Sequence, residues 1–244
     1  MIDPREWVIA RRLAGIARVI GVCSAKGGVG KTFCTSVAAV ALARAGRRVG
    51  VLDLDLQGAS SHIFLGVRPR LPAEDRGILP LPAADNLWFM SASIFAGENA
   101  LALRGPEVSD AIRELLAVTL WGTLDFLLVD MPPGIGEEVL DLARLIPRLE
   151  ALVISTPSAV SVAVVKRLIA VLVQMRVAVP GIIANMAQGR AGPVREMAES
   201  AGIPFAGEVR LDGAVEASIG DPVRLSATSA AEDLRRALSA IGLL

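Results

Sequence analysis

The chain has 244 residues, of which 53% are hydrophobic, and a mean hydropathy of +0.54, so it is long enough to bury a sizeable core. Basic and acidic residues number 25 each, which excludes the global positive field that holds nucleic acid or anionic lipid and argues against nucleic acid as a partner. Glycine, proline and charged residues interrupt the apolar runs, so we expect no transmembrane segment, and because residues 1–7 lack an apolar leader core we expect a cytoplasmic protein.

Strand-length apolar segments alternate with helix-length amphipathic segments along the chain. The predicted strands are residues 19–24, 48–53, 87–91, 125–130, 151–156, 181–185 and 205–209. This alternation predicts a doubly wound, mostly parallel α/β sheet in a single domain over residues 1–244, with a helical extension over residues 1–18. The stretch 67–86 contains four prolines and is predicted to be a loop-rich excursion.

A glycine-rich segment lies between the first predicted strand and the first long helical pattern. Its glycines let consecutive backbone N–H groups point toward one anion, and the helix N-terminus adds partial positive charge. Lys31 can reach the β- and γ-phosphates of ATP, and the Thr32 hydroxyl can ligate Mg²⁺. The sequence therefore predicts a P-loop for ATP and Mg²⁺. The predicted nucleotide-binding residues here are Gly27, Gly28, Val29, Gly30, Lys31, Thr32 and Phe33.

The P-loop departs from the strict pattern at two adjacent positions. Ala25 replaces the usual first glycine, and Lys26 is an additional lysine. The segment thereby resembles the deviant P-loop subclass, in which a signature lysine reaches the partner's phosphates across a nucleotide-sandwich dimer. That resemblance implies a homodimer in which Lys26 acts across the interface.

Carboxylates close two of the predicted strands. Asp53 and Asp55 end the second strand, and Asp130 ends the fourth. An aspartate in the position of Asp130 is the Walker B arrangement for Mg²⁺, and we predict Thr32, Asp55 and Asp130 as the metal ligands. Asp55 is predicted to orient the attacking water, which gives a catalytic set. That set is Lys26, Lys31 and Asp55.

The residues after Asp130 are predicted to form a nucleotide switch. Pro133 and Gly134 follow it, and Gly134 lets the backbone approach the γ-phosphate and move once that phosphate is gone. Ligands of parallel sheets bind beyond the carboxyl ends of the strands, so we expect four strand-end residues to gather near the P-loop. These are Asp53, Asp130, Thr156 and Asn185.

Motifs along the whole chain resemble the Mrp/ApbC group of deviant P-loop ATPases, within the MinD/ParA superfamily. Besides the P-loop they are the Arg-Gly-Pro of residues 104–106, the WGTLD of residues 121–125, the DMPPGIG of residues 130–136, Asn185-Met186, and residues 203–208. The resemblance implies a slow, Mg²⁺-dependent ATP hydrolase that acts as a homodimer with a protein client in iron–sulfur cluster assembly. It also implies that Asn185 hydrogen-bonds the adenine edge.

Two positions differ from the resembling family. Members that bind a bridging cluster carry a CxxC shortly after the Asn-Met pair, whereas this chain contains only Cys23 and Cys34, both beside the P-loop. Iron–sulfur clusters need thiolate ligands, so we expect no [4Fe–4S] cluster on the isolated protein. Arg210 stands where the family usually has a proline beside the base pocket.

Other interpretations are open at this point. A spatial organiser of the MinD/ParA type would bind DNA or membrane as an ATP dimer, and a nucleotide-binding regulator would have negligible turnover. Residues 230–244 have an apolar face that fits a membrane-targeting helix or, as we favour because the polar face mixes charge signs, a last helix packed on the sheet. His62, the single histidine, is predicted to be a surface residue rather than a metal ligand.

Overall fold

Eight strands form one sheet at the centre of the molecule in the computed structural model, which describes residues 3–56, 58–68, 70–96, 106–134, 136–146 and 148–244. The strand order is β3-β4-β2-β5-β1-β6-β7-β8. The strands are β1 (Ile16–Cys23), β2 (Val49–Asp53), β3 (Leu81–Ala84), β4 (Leu87–Ser91), β5 (Leu124–Asp130), β6 (Leu149–Ser155), β7 (Ala178–Ala184) and β8 (Phe205–Glu208).

Helices connect the strands and cover both faces of the sheet. The α-helices are α1 (Arg5–Leu13), α2 (Lys31–Arg44), α3 (Ser61–Phe64), α4 (Ser93–Ala96), α5 (Pro106–Val118), α6 (Glu137–Leu145), α7 (Ala159–Gln174), α8 (Gly192–Ser200), α9 (Pro222–Ser226) and α10 (Ser229–Ala240), with a 3₁₀ turn at Glu216–Ser218. Because helices lie on both faces, the central strands are buried on both sides and are rich in valine, isoleucine and leucine.

The doubly wound, mostly parallel sheet predicted from the sequence is confirmed. All strand pairs are parallel except β3 with β4, and the register places Asp53 beside Asp130 at the carboxyl ends of β2 and β5. Each predicted strand is present within three residues of its predicted bounds. The helical extension predicted for residues 1–18 is shorter than expected: the helix ends at Leu13, and the first strand already begins at Ile16.

The loop-rich excursion predicted for residues 67–86 contains a strand that the sequence analysis missed. Strand β3 pairs antiparallel with β4 at the edge of the sheet, and Leu81 is buried opposite Phe89. Prolines at positions 80 and 82 hid this strand, but an edge strand tolerates proline because one side needs no ladder hydrogen bonds. Residues 104 and 105 of the Arg-Gly-Pro motif lie outside the described residues.

The last helix packs on the body of the protein. Leu234 and Leu238 of α10 are almost fully buried, and the helix contacts α2 and β8. Its apolar face is therefore used in the core, which supports the packed-helix alternative over the membrane-targeting one. Within the described ranges, no helix combines the length and apolar character needed to cross a bilayer.

Candidate functional site

The P-loop joins β1 to α2 with a backbone that two glycines make possible. Gly28 and Gly30 have φ angles of 76° and 82°, a left-handed conformation that residues with a Cβ rarely adopt. Helix α2 begins directly after Gly30, at Lys31, so its free N–H groups face the loop. Gly27 is exposed and Val29 is buried, so the loop is anchored at one side and open at the other.

Asn185 is bound to the P-loop rather than free at the end of its strand. Its Nδ2 donates a hydrogen bond to the Val29 carbonyl at 2.7 Å, and a Cβ atom at position 30 would overlap this amide. Gly30 is therefore needed for both its φ angle and its lack of a side chain. This bond uses one of the two Nδ2 hydrogens, so the second N–H and Oδ1 are the Asn185 groups left for a ligand.

Asp130 is the centre of the polar cluster beside the P-loop. Its Oδ1 lies 2.6 Å from Nζ of Lys31, and its Oδ2 accepts a hydrogen bond of 2.7 Å from Thr32 Oγ1. Both Lys31 and Asp130 are buried, so the ion pair lies in a medium of low dielectric constant. Longer contacts from Thr35 and Ser61 hydroxyls complete the set around this carboxylate.

Asp53 is the second buried carboxylate at this edge of the sheet. It accepts hydrogen bonds from the backbone N–H of Ser61 at 3.0 Å and of Asp55 at 3.1 Å, so it fixes the start of α3 and the turn that follows β2. Burial, followed by the nearby charge of Asp130, raises the pKa of Asp53 above its ordinary value. Asp53 was expected near the P-loop from its place at a strand end, but its role in holding the turn has no sequence signal.

Asp55 lies just beyond β2 and is half-buried. Its carboxylate accepts a hydrogen bond from Gly58 N at 3.0 Å, within its own turn. Strand β2 ends at Asp53, so Asp55 belongs to the turn after the strand and not to the strand itself. The structure thus ties Asp55 through its backbone to Asp53, while the Asp130 cluster is bonded to Lys31 and Thr32.

The predicted switch segment touches the P-loop. Gly134 has a φ angle of 102° and donates its N–H to the Ser24 carbonyl at 3.0 Å. Pro133 beside it is exposed. A displacement of this turn would therefore disturb the hydrogen bond between Gly134 and Ser24, which lies immediately before the P-loop.

Lys26 lies on the exposed side of the loop. Among the described residues, no carboxylate forms an ion pair with its ammonium group. The Lys26 backbone is held by a hydrogen bond of 3.0 Å from Ser24 Oγ to its carbonyl. The side chain is thus available to a group outside this chain.

A cavity of about 330 Å³ adjoins the P-loop at Gly30. Phe33 and Phe64, whose rings meet edge to face at 6.5 Å, form part of its lining with Asn185 and Met186. The opposite wall is formed by residues 210–219 and Ala230. An apolar cavity beside a phosphate loop is suited to a nucleoside, and two of the residues predicted to bind nucleotide, Phe33 and Asn185, line it.

Thr156 lies apart from this cluster. It lines a different groove with Met186 and Arg190, and its N–H donates to Ser161 Oγ at 3.2 Å. The structure places Asp53, Asp130 and Asn185 at the P-loop, whereas it gives Thr156 no hydrogen bond to that loop among the described residues.

Both cysteines are buried. Burial raises the pKa of the Cys23 thiol to about 12 and raises the pKa of the Cys34 thiol as well. Neither thiol is accessible as a thiolate, and the described part of the chain has no group of three or more cysteine, histidine or acidic side chains that could hold a metal ion. These residues do not fit an iron–sulfur cluster.

His62, expected at the surface, is half-buried, with one edge of its ring turned toward the core. Its ring lies 6.3 Å from the Phe89 ring, and its Nδ1 is buried without a hydrogen-bond partner. Burial lowers the pKa of this imidazole. The sequence could not show this partial burial, because a four-residue helix has no periodicity that indicates which side faces the sheet.

Comparison with known families matches residues 15–242 to the model of ParA proteins described as NUBPL iron-transfer P-loop NTPases. An iron–sulfur cluster carrier protein of Methanocaldococcus jannaschii is 36% identical over 99% of this chain and 89% of its own length. The human cytosolic Fe-S cluster assembly factor NUBP2 is also 36% identical, over 83% of this chain and 82% of its own.

Two solved structures extend the comparison to the fold. A nucleotide-binding protein from Archaeoglobus fulgidus in complex with ADP has a TM-score of 0.76 and 31% identity, with 94% of this chain and 95% of that chain covered. The cell division ATPase MinD of Pyrococcus furiosus has a TM-score of 0.67 and 20% identity, with 92% and 98% covered. The second likeness concerns the fold alone.

Proposed function

The chain belongs to the NUBPL iron-transfer P-loop NTPase family, and we propose that it is a slow, Mg²⁺-dependent ATPase that works as a nucleotide-gated homodimer with a protein client in iron–sulfur cluster assembly. The observation that carries the proposal is the cluster of Lys31, Thr32 and Asp130 beneath a glycine loop that opens a helix.

The Lys31–Asp130 pair supports an exchange of partners on ATP binding, in which the Lys31 ammonium group leaves the carboxylate for the phosphates. Lys31 is 2.6 Å from the carboxylate, and the β- and γ-phosphates compete with Asp130 for the same ammonium group. The two oxygens of Thr32 and Asp130, 2.7 Å apart, form a donor set that suits Mg²⁺, with Asp55 as the further ligand predicted from the sequence. Bound there, Mg²⁺ would supply positive charge to the phosphates.

The remaining steps fall to Asp55 and the switch turn. Asp55 orients the attacking water in this proposal, because its turn is fixed to Asp53 beside the metal ligand Asp130. Gly134, bonded to Ser24, is placed to respond to the γ-phosphate.

The homodimer is supported by exposed apolar side chains at the P-loop edge of the sheet. Exposed apolar side chains follow the carboxyl ends of four strands, on the same side of the sheet as the P-loop; they are Ile63, Phe95, Val160 and Leu211. Such side chains suit burial against a second copy, and Lys26 is free to contact the partner's phosphates.

The proposed role in cluster assembly rests on family membership, and the burial of both cysteines limits what this chain can contribute to it. Cys23 and Cys34 are buried, so we infer that cluster ligands come from the client or another protein and that this chain supplies the nucleotide-driven step. A membrane-bound spatial organiser, the alternative function, is less well supported because the apolar face of α10 is buried.

The test is ATP turnover by the purified protein. Phosphate release from radiolabelled ATP is expected with Mg²⁺ and not with EDTA. Asp55→Ala is expected to bind ATP and fail to hydrolyse it, whereas Asp85→Ala, which removes an exposed carboxylate in a turn away from the P-loop, is expected to match wild type. Wild-type turnover in Asp55→Ala would remove Asp55 from the mechanism, and no turnover by wild type would refute the ATPase.

A further inference from the structure

The cavity beside the P-loop has two walls of different construction. Its inner wall belongs to regular elements: Phe33 lies on α2 and Asn185 directly follows β7. Its outer wall, residues 210–219, has only one 3₁₀ turn of its own. Something outside the segment must therefore fix its position.

Asp233 of α10 holds the start of the outer wall. Its carboxylate accepts three hydrogen bonds from Arg210: 3.1 Å from the backbone N–H, 2.6 Å from Nε and 2.9 Å from Nη2. Charge-assisted bonds that use both the backbone and the guanidinium define the orientation of Arg210 as well as its position.

A second aspartate holds the same segment further along. Asp212 accepts hydrogen bonds from the backbone N–H of Ala214 at 2.9 Å and of Ala230 at 3.1 Å. Ala230 lies at the start of α10, so both ties connect the outer wall to one helix. Helix α10 is itself anchored, since Leu234 and Leu238 are buried in the core.

The Arg210 tie depends on the residue type at this position. A proline, which is usual here in the family that the sequence resembles, has neither an N–H nor a guanidinium group. The side chain of Asp233 is only 7% exposed, whereas that of Arg210 is 54% exposed. The buried carboxylate of Asp233 is thus the fixed partner, and Arg210 connects the outer wall to it by hydrogen bonds.

We propose that Asp233 is a positioning residue for the nucleoside part of the bound nucleotide, and that it acts through Arg210 by preorganising the outer wall of the base cavity. This inference rests on the proposed ATP site. The phosphate groups are assigned to a different part of the site, because the proposed phosphate ligands Lys31 and Thr32 do not line the base cavity.

The experiment compares two ligands by calorimetry. ADP uses the phosphate loop and the base cavity, whereas pyrophosphate uses the phosphate loop alone. Arg210→Pro and Asp233→Asn are expected to raise the Kd for ADP roughly tenfold while the Kd for pyrophosphate stays unchanged. Arg210→Lys, which keeps the backbone N–H and the positive charge, is expected to recover part of the ADP affinity.

Arg236→Ala is the matched control. Arg236 also donates to Asp233, but it does not line the base cavity. This substitution removes one arginine from the same carboxylate. The Kd for ADP should stay within about twofold of the wild-type value, which is close to the precision of such a comparison. Equal weakening by Arg210→Pro and Arg236→Ala would show that only the helix matters and would overturn the proposal.

The remaining outcomes separate this inference from the proposed function. Wild-type protein that binds both ligands, with unchanged ADP affinity in Arg210→Pro and Asp233→Asn, contradicts the positioning role alone. Parallel losses of ADP and pyrophosphate in these variants contradict it as well, since they indicate a general structural effect. Wild-type protein that binds neither ligand contradicts the ATP site and with it this inference.

Discussion

The ammonium group of Lys31 and the carboxylate of Asp130 form a buried ion pair with an N–O distance of 2.6 Å. The residues lie 99 positions apart and join the P-loop helix to the carboxyl end of β5. Because the same ammonium group is the one predicted to bind phosphates, we propose that this pair couples nucleotide binding to the position of Asp130 and to Gly134 beyond it.

Removing the cation of this pair should destabilise the protein. Lys31→Met leaves Asp130 buried without a positive partner, and we expect the free energy of unfolding to fall by about 3 to 5 kcal/mol. The double variant Lys31→Met/Asp130→Asn removes the charge as well and should recover most of that loss. Urea denaturation measures both. Equal stability of the single and double variants would show that the unpaired charge of Asp130 is not the cause of the lost stability.

Lys26 should act in the dimer rather than in nucleotide binding by one subunit. Lys26→Ala is expected to bind ATP as a monomer and to lose both ATP-stabilised dimerisation and hydrolysis, because the exposed lysine has no pairing carboxylate in its own chain among the described residues. Light scattering with ATP on an Asp55→Ala background tests this. Arg47→Ala, which removes an exposed charge before β2, is the control. A dimer indifferent to both ATP and Lys26 would contradict the sandwich arrangement.

The buried cysteines should not hold a cluster. After anaerobic reconstitution with iron and sulfide, Mössbauer spectra of wild type are expected to show no stoichiometric [4Fe–4S] cluster, as for Cys23→Ala/Cys34→Ala. The double variant should keep its ATPase activity and lose roughly 1 to 2 kcal/mol of stability through packing. A dimer-bridging cluster in wild type that the double variant lacks would restore a carrier role for this chain.

His62 should make stability depend on pH. Burial lowers the pKa of His62 in the folded state. At pH values below the ordinary histidine pKa of about 6.5, the unfolded state therefore binds the proton more readily than the folded state. Stability therefore falls as pH decreases through that value. Wild type should lose thermal stability relative to His62→Gln between pH 8 and pH 5. The same difference in Tm between wild type and His62→Gln at pH 8 and at pH 5 would contradict this.

Local patterns allowed much of the fold and of the candidate site to be predicted. The order of strands and helices follows from apolar periodicity, and the P-loop is a contiguous segment whose glycines at positions 28 and 30 have the backbone conformation that the motif requires. Asp130 could be assigned because it closes an apolar strand in a sheet whose carboxyl ends gather ligands.

The features that could not be predicted depend on contacts between distant elements. The partial burial of His62 follows from its contact with Phe89, and β3 follows from pairing with β4. The bond from Arg210 to Asp233 requires knowing where α10 lies. None of these relationships has a sequence period or motif, so only the assembled structure shows them.

Binding of ATP to Lys31→Ala, measured by isothermal titration calorimetry beside wild type, tests the central claim most directly. We expect wild type to bind ATP and Lys31→Ala to show no measurable binding, since the ammonium group that neutralises the β- and γ-phosphates is gone. Circular dichroism of the variant confirms that it is folded. Wild-type affinity in folded Lys31→Ala would contradict the assignment of this loop as the ATP site.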